Sequence, residues 1–222
     1  MADVVLIVAA HPDDEALGCG GTIARHTAAG DIVHVLFLSD GVSSRGNKEG
    51  LAERNEAAEK ALDILGVNSV SYAMFPDNAM DGLPLIDIVK KVEEAVSQLK
   101  PRVVYTHHSG DLNVDHQVAA QAVMTACRPQ PGCPVEESYG CEVLSSTEWQ
   151  APDVEPFKPS YFVDIEATLE QKMEALEAYD LEMRDFPHAR SYEAVKALAT
   201  VRGVQNGMVA AEAFTVLRFL KR

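Results

Sequence analysis

A histidine and three acidic residues, His11 and Asp13 to Glu15, follow directly after the first apolar run of the chain. That run, residues 4–10, has the length and composition of a buried strand, which would carry these polar side chains to one edge of a sheet. In open α/β sheets this carboxyl edge is where ligands bind. His11 and Asp14, three residues apart, suit a divalent metal, and Asp13 between them is free to act as a base.

A second polar cluster follows the fourth predicted strand. Taken singly, a histidine after a strand is often a packed core residue, and an aspartate before a helix is often its cap, as Asp14 or Asp115 could be. Two clusters at equivalent strand ends are harder to explain by folding alone, because each buried charge costs several kcal/mol unless it is paired or bound to a metal. Two histidines and one aspartate would leave a fourth position open, as catalytic zinc requires, and such ligands also accept Fe²⁺ or Mn²⁺. The second cluster consists of His107, His108, Asp111, Asn113, Asp115 and His116.

Strand-like and helix-like patterns alternate through the first part of the chain and would bring the two clusters together. This alternation implies a Rossmann-like α/β fold, with a mostly parallel sheet and helices on both faces. Residues 39–50 are polar and are predicted as a loop. The predicted strands are 4–10, 32–38, 70–75 and 102–106, and the predicted helices are 16–29, 51–65, 84–99 and 115–126.

The pattern changes after residue 126, where a proline-rich stretch precedes shorter elements. We expect one domain over residues 1–222, with a Rossmann-like core over 1–126 and a C-terminal α/β extension over 127–222. The extension is expected to pack beside the sheet and to form the rim of the pocket. Its predicted strands are 139–144, 161–164 and 214–220, and its predicted helices are 169–183 and 191–201.

The amino-acid composition limits which kinds of partner and which cellular location we expect. With 19 basic and 34 acidic residues the net charge is −15, which argues against a nucleic acid as partner because binding a phosphate backbone needs clustered cations. The sequence shows no basic leader and no apolar run near ~20 residues, so we expect neither a signal peptide nor a membrane span, and a cytoplasmic location. No CxxC pair is present and no disulfides are expected. The cysteines are Cys19, Cys127, Cys133 and Cys141.

Two motifs resemble the hallmarks of the LmbE-like family of zinc-dependent N-deacetylases, also called the PIG-L family. Residues 10–15 match the family's A-H-P-D-D-E sequence, and Asp115-His116 matches the D-H pair that opens a helix after the fourth strand. Weaker likenesses extend over nearly the whole chain. They are the helix around Arg54-Asn55-Glu56, the loop Phe75-Pro76-Asp77-Asn78 and the final-strand entry Ala211-Glu212-Ala213-Phe214.

The resemblance implies hydrolysis of the N-acetyl group of a GlcNAc-like amino-sugar conjugate, with release of acetate. It implies that Asp13 is the general base and that Arg54 and Asp77 contact the substrate, although a surface cation and a turn-forming aspartate are the alternative interpretations. With one tryptophan in the chain, a small conjugate is expected rather than a long chitin chain. Family members often assemble, so a homo-oligomer is compatible with the resemblance. The implied zinc ligands are His11, Asp14 and His116.

The chain departs from the family at Asn113, where many relatives carry a histidine that steadies the oxyanion or protonates the leaving amine. An asparagine at this substrate-facing position can donate a hydrogen bond but cannot transfer a proton. His188, in a proline-containing loop between two predicted helices, is our candidate for the missing proton donor. A surface histidine beside a helix N-terminus is the alternative interpretation, and His107 and His108 are rival donors.

Two other functions are compatible with the sequence. The predicted fold would also suit a nucleotide-binding protein, but the glycines of residues 18–21 lack the dinucleotide-binding spacing and are interpreted as close packing of a helix on the sheet. A non-catalytic sugar-binding relative is the second alternative, and it is suggested by Asn113. The presence of Asp13 argues against it, since a binding protein has no need of a base.

Overall fold

Seven strands form one sheet in the computed structural model, which describes residues 2–45 and 50–221. The strands are β1 (Val4–Ala9), β2 (Ile32–Ser39), β3 (Ser69–Phe75), β4 (Val103–His107), β5 (Glu137–Cys141), β6 (Tyr161–Asp164) and β7 (Ala211–Phe219). Their order across the sheet is β3-β2-β1-β4-β5-β7-β6. Neighbours are parallel from β3 to β5, whereas β7 runs antiparallel to both β5 and β6.

Helices cover both faces of this sheet. They are α1 (Asp14–Ala28), α2 (Leu51–Leu65), α3 (Leu85–Leu99), α4 (Val114–Ala126), α5 (Leu169–Ala178) and α6 (Tyr192–Val204). Successive side chains of a strand point to opposite faces, so β1 feeds two separate apolar cores. Val5 and Ile7 pack in the core that contains residues of α1, α2, α5 and α6. Leu6 and Val8 pack in the core that contains residues of α3 and α4.

The predicted fold class, a mostly parallel α/β sheet with helices on both faces, is confirmed. Several boundaries differ from the prediction. The fifth helix ends at Ala178 because the backbone leaves the α-helical path and residues 180–182 form a 3₁₀ turn. The last strand begins at Ala211, earlier than predicted, because its first residues pair with β6. Within the predicted loop over residues 39–50, residues 43–45 form a 3₁₀ turn and residues 46–49 lie outside the described residues.

The C-terminal extension contributes β5, β6 and β7, so it continues the sheet as well as packing beside it. Cys19, Cys127 and Cys141 are buried. Across the described residues, no helix combines the length and apolar character that a bilayer-spanning segment requires.

The glycines at the start of α1 allow the close packing that the sequence predicts. A Cβ atom on Gly18 would lie 2.7 Å from the Cys141 sulfur of β5, and one on Gly21 would lie 2.8 Å from a methyl group of Ile165. Real Cβ atoms essentially never approach a neighbour so closely. The absence of side chains here therefore lets α1 lie directly against the sheet and the segment after β6.

Candidate active site

The two polar clusters meet at the carboxyl edge of the sheet because β1 and β4, the strands that precede them, are neighbours. His11 follows β1, Asp14 begins α1, and His116 lies in the first turn of α4. Ligand atoms of these three buried side chains all lie within 4.8 Å of one another. Nδ1 of His11 and Nε2 of His116 lie 3.1 Å and 3.2 Å from Oδ2 of Asp14. The structure thus brings the three predicted metal ligands together.

A second carboxylate contacts the other ring nitrogen of His116. Oδ1 of Asp111 lies 3.1 Å from Nδ1 of His116, and Asp111 itself accepts hydrogen bonds from the hydroxyls of Ser146 and Thr147. Metal-binding histidines commonly have a carboxylate at this place, and the partner fixes the ring orientation and tautomer. His116 is therefore oriented to present Nε2 on the side of Asp14.

A carboxylate also contacts the second ring nitrogen of His11, and it belongs to Asp115. Its Oδ2 lies 3.1 Å from Nε2 of His11, and its two oxygens accept backbone N–H groups of the segment after β3 at 2.7 Å and 3.0 Å. Oδ1 of Asp77 lies 3.2 Å from the same Nε2, so His11, Asp77 and Asp115 form a second group with metal-binding spacing. Since Nε2 faces these two carboxylates, Nδ1 is the nitrogen that faces Asp14.

The surrounding carboxylates make the centre attract positive charge. Burial by itself lowers the pKa of His11, but hydrogen bonds to Asp115 and Asp14 outweigh it and raise that pKa to about 10. Burial is likewise outweighed at His116, where Asp14 and Asp111 raise the pKa to about 9. A divalent cation would be attracted by the same carboxylates and would displace the protons that these imidazoles otherwise retain.

The two rival histidines have structural partners. His107 stacks on His116 with ring centroids 3.9 Å apart, and its Nε2 accepts the Ala10 N–H at 2.8 Å. Burial lowers the pKa of His107 to about 3, so this ring is neutral. Nε2 of His108 lies 3.0 Å from the carbonyl oxygen of Glu155 and donates a hydrogen bond to it. Both rings therefore help to hold the strand end and its loop in place.

Asp13 lies between two arginines that come from distant parts of the chain. Nη2 of Arg54, on α2, lies 3.3 Å from Oδ2 of Asp13, and Nη1 of Arg190 lies 2.9 Å from the same oxygen. Asp13 is only 2% exposed. Its burial raises its pKa more strongly than the two arginines lower it. A carboxylate with a raised pKa is a better proton acceptor than an ordinary aspartate.

Arg54, a predicted substrate-binding residue, bridges two carboxylates. Besides Asp13 it contacts Glu182, which lies in the 3₁₀ turn after α5, and it donates a hydrogen bond to the carbonyl oxygen of Pro12. A cavity of about 570 Å³ lies between α2 and the end of α5, and Arg54 forms part of its wall. Arg54 thus contacts Asp13 and also lines this cavity.

The other two predicted substrate-binding residues make contacts within the site. Asp77 accepts a hydrogen bond from the hydroxyl of Ser44 and lies beside His11. Asn113 caps α4, because its side-chain oxygen accepts the Asp115 N–H at 2.8 Å. Its amide nitrogen donates to the side chain of Asn78 at 3.0 Å. The sequence left open whether Asp14 or Asp115 caps a helix. In the structure the side chain of Asn113 caps α4, and no side chain caps the start of α1.

His188 lies in the loop before α6 and is half-buried. Its Nδ1 accepts the backbone N–H of Arg190 at 3.0 Å, and its ring meets Trp149 edge-on with centroids 5.5 Å apart. Arg190, two residues further on, is the side chain that contacts Asp13. Sequence reasoning singled out this loop for its histidine and missed the arginine, because a partner 177 residues away leaves no local pattern.

Comparison with known proteins gives a family match over more than half of the chain. Residues 6–127, which contain both hallmark motifs, match the family model of the GlcNAc-PI de-N-acetylases, PIG-L. The chain belongs to the PIG-L family. This confirms the family predicted from the sequence, and the match covers the segments that carry His11, Asp13, Asp14 and His116.

The proteins to which the chain is similar differ in the activity that their names state. The uncharacterized deacetylase YaiS of Escherichia coli is 32% identical, over 71% of this chain and 84% of the relative. A 1D-myo-inositol 2-acetamido-2-deoxy-alpha-D-glucopyranoside deacetylase of Rhodococcus jostii is 26% identical, over 96% and 91%. A 4-oxalmesaconate hydratase of Pseudomonas putida is 28% identical, over 90% and 80%. The solved structure of the conserved protein TT1542 from Thermus thermophilus matches with a TM-score of 0.78 and 29% identity, over 100% of this chain and 97% of that chain.

Proposed function

We propose that this member of the PIG-L family is a metal-dependent N-deacetylase that hydrolyses the acetamide of a small GlcNAc-like amino-sugar conjugate, with zinc as the metal. The observation that carries the proposal is a buried aspartate, Asp13, beside the ligand group of His11, Asp14 and His116. The relative named as a deacetylase of a GlcNAc-inositol compound supports the substrate class. Fe²⁺ or Mn²⁺ would suit the same ligands.

The side chains of this centre fit a divalent ion. Oδ1 of Asp14 and Nε2 of His116 are buried, and neither makes a hydrogen bond of normal geometry within the described residues. Buried polar atoms in native proteins nearly always have a partner, and these two belong to a group whose ligand atoms converge. Two imidazole nitrogens and one carboxylate are a typical set for catalytic zinc. When bound there, a divalent ion supplies Lewis acidity to a carbonyl oxygen and to a water molecule.

Asp13 is the proposed general base. Both arginines contact its Oδ2, so we assign the proton transfer to Oδ1. This oxygen takes a proton from the attacking water and then gives it to the amide nitrogen as the C–N bond breaks. The products are acetate and the free amine. Arg54 and Arg190 hold the carboxylate in one orientation, which keeps Oδ1 directed at the reacting atoms.

We propose that His188 takes the role of the histidine that the family resemblance leads us to expect at Asn113. Because its Nδ1 accepts the Arg190 N–H, the neutral ring carries its one proton on Nε2. This N–H stabilises the oxyanion by donating a hydrogen bond and keeps its proton, while Asp13 supplies the proton of the leaving amine. We propose that Arg54 and Asp77 contact the sugar or the group attached to it. Asn113 would contact the substrate through the amide that donates to Asn78 in this structure.

Acetate release from a panel of N-acetylglucosamine conjugates tests the proposal. We expect the zinc-loaded protein to release acetate, and Asp13→Asn to lose about 10²- to 10⁴-fold in rate while it keeps its metal. Asp153→Asn, at an exposed position of a loop, is the control and should retain full activity. Binding of the conjugates without acetate release would favour a non-catalytic sugar-binding protein. Hydration of 4-oxalmesaconate without acetate release would replace the proposal with the activity named for the Pseudomonas putida relative.

A further inference from the structure

The backbone of Asp13 has an unusual conformation for a residue with a side chain. Its φ is 119° and its ψ is −29°, which lies in the left-handed region that favours glycine. Such a conformation is strained and persists only where the surrounding structure holds it. The chain makes this turn between Pro12 and the first turn of α1, at the residue that we propose as the base.

Glu15 holds the backbone of that turn. Its Oε2 accepts the Asp13 N–H at 3.0 Å, while its own side chain is only 1% exposed. Within the described residues, Glu15 belongs to neither group with metal-binding spacing. The third acidic residue of the motif therefore faces the backbone of Asp13, in contrast to Asp14, which faces the metal centre.

A hydrogen bond from Tyr179 fixes the position of the Glu15 side chain. The Tyr179 hydroxyl donates to Oε1 of Glu15 at 2.8 Å, so each carboxylate oxygen has its own donor. Tyr179 follows directly after α5 and is 1% exposed. Its position in the C-terminal extension means that packing of α5 determines where the carboxylate of Glu15 lies. The contact thus connects the extension to the backbone of Asp13.

We propose that Glu15 and Tyr179 are positioning residues that hold the strained backbone of Asp13, and so aim its carboxylate at the substrate. The inference rests on the proposed function only for the role of Asp13 as a base. A purely structural role, as a cap for α1, would affect stability and leave the turnover of folded protein unchanged. Positioning instead affects kcat, because small misplacements of a reacting group are costly.

Two conservative variants separate these roles. Tyr179→Phe removes one hydroxyl and keeps the buried ring. Tyr139→Phe is the matched control, since the Tyr139 hydroxyl donates to Glu137 at 2.7 Å within β5. Glu15→Gln keeps an acceptor for the Asp13 N–H and an amide that can donate to the Tyr179 oxygen, whereas Glu15→Ala removes both. For each variant we would measure kcat, KM, metal per chain, the thermal midpoint and hydrogen exchange of the Asp13 amide by NMR.

We expect Tyr179→Phe and Glu15→Ala to lower kcat by roughly 10- to 100-fold, with KM and metal content unchanged and faster exchange of the Asp13 amide. Glu15→Gln should recover most of the lost turnover. The proposal is overturned if Tyr179→Phe matches Tyr139→Phe in kcat, or if exchange of the Asp13 amide does not change. Glu15→Ala could fail to fold, but Tyr179→Phe decides the question alone.

Failure of the proposed function gives a different result. In that case the wild-type protein would release no acetate from any conjugate of the panel. The exchange rate of the Asp13 amide would then decide whether Glu15 and Tyr179 hold this backbone, because that readout needs no substrate. Faster exchange in Tyr179→Phe would support the positioning, and unchanged exchange would reject it.

Discussion

Nη1 of Arg190 lies 2.9 Å from Oδ2 of Asp13, although 177 residues separate them in the chain. Nε of Arg190 also donates to the hydroxyl of Ser145 at 2.6 Å, which fixes the guanidinium group from a second side. The loop before α6 therefore completes a site that begins at the end of β1. The C-terminal part of the chain supplies a charge to the proposed base as well as forming strands of the sheet.

Replacement of Arg190 should impair turnover. Arg190→Gln removes one of the two guanidinium groups on Oδ2 of Asp13, so the carboxylate gains orientational freedom, and we expect kcat to fall by about tenfold with unchanged metal content. Arg184→Gln is the control, because Arg184 lies in the same loop and contacts the backbone oxygens of Leu181 and Met183. Equal kcat values for the two variants would show that Arg54 alone orients the carboxylate.

Asp111 should determine metal affinity without being a ligand. Asp111→Asn removes the charge beside Nδ1 of His116, and loss of such a partner typically weakens metal binding by about 10- to 100-fold. Asp31→Asn is a matched control, since Asp31 contacts Nδ1 of His26 at 2.8 Å in another part of the molecule. Competition with a chelator measures both affinities. Identical metal affinities of the two variants would show that Asp111 does not support the metal centre.

A buried ion pair should contribute to the stability of α1. Nζ of Lys172 lies 2.6 Å from Glu212, and the Glu212 carboxylate accepts two backbone N–H groups of α1 just after the irregular residue Cys19. Lys172→Met would leave a buried carboxylate without its cation and should lower the free energy of unfolding by about 3–5 kcal/mol.

Urea denaturation would measure that change. Lys196→Met is the matched control, because Lys196 lies 3.7 Å from Glu170 with both side chains exposed, and exposed pairs contribute about 0–1 kcal/mol. A loss of less than about 1 kcal/mol for Lys172→Met would indicate that the backbone N–H groups alone compensate the charge of Glu212.

His188→Ala tests the proposed stabilisation of the oxyanion. If the Nε2–H of His188 donates to the oxyanion, kcat should fall by about 10²- to 10³-fold with metal content unchanged. His188→Gln, whose side-chain amide can also donate a hydrogen bond, should recover part of this loss. If His188→Ala turned over at the wild-type rate, His188 would be left with its structural contact, in which its Nδ1 accepts the Arg190 N–H.

The local sequence pattern predicts the parallel part of the sheet and the part of the site that lies at its carboxyl edge. The apolar run before His11 predicts β1, and the alternation that follows predicts a mostly parallel sheet, so the meeting of the two polar clusters could be anticipated. The extension was harder to place. Its last strand is antiparallel and pairs with two strands at once, and such pairing depends on register between segments that are far apart in the chain.

The remaining parts of the site depend on contacts that no local pattern records. Tyr179 has the spacing of an ordinary core residue at the end of a helix, yet its hydroxyl reaches Glu15. Asn113 stands where the family resemblance leads us to expect a histidine, but only the structure shows that its side-chain oxygen caps α4. In both cases the role of the residue depends on where one polar atom points, and composition and periodicity do not specify that direction.

Metal content, measured by elemental analysis of protein purified without chelators, tests the centre formed by His11, Asp14 and His116. We expect about one zinc ion per chain in the wild-type protein, with acetate release from the same sample. His116→Ala should lose the zinc and the acetate release. His34→Ala is the control and should keep both, because the His34 ring is hydrogen-bonded to two serines between β2 and β3. A wild-type protein without metal, or a His116→Ala variant with full metal content, would contradict the proposed metal centre.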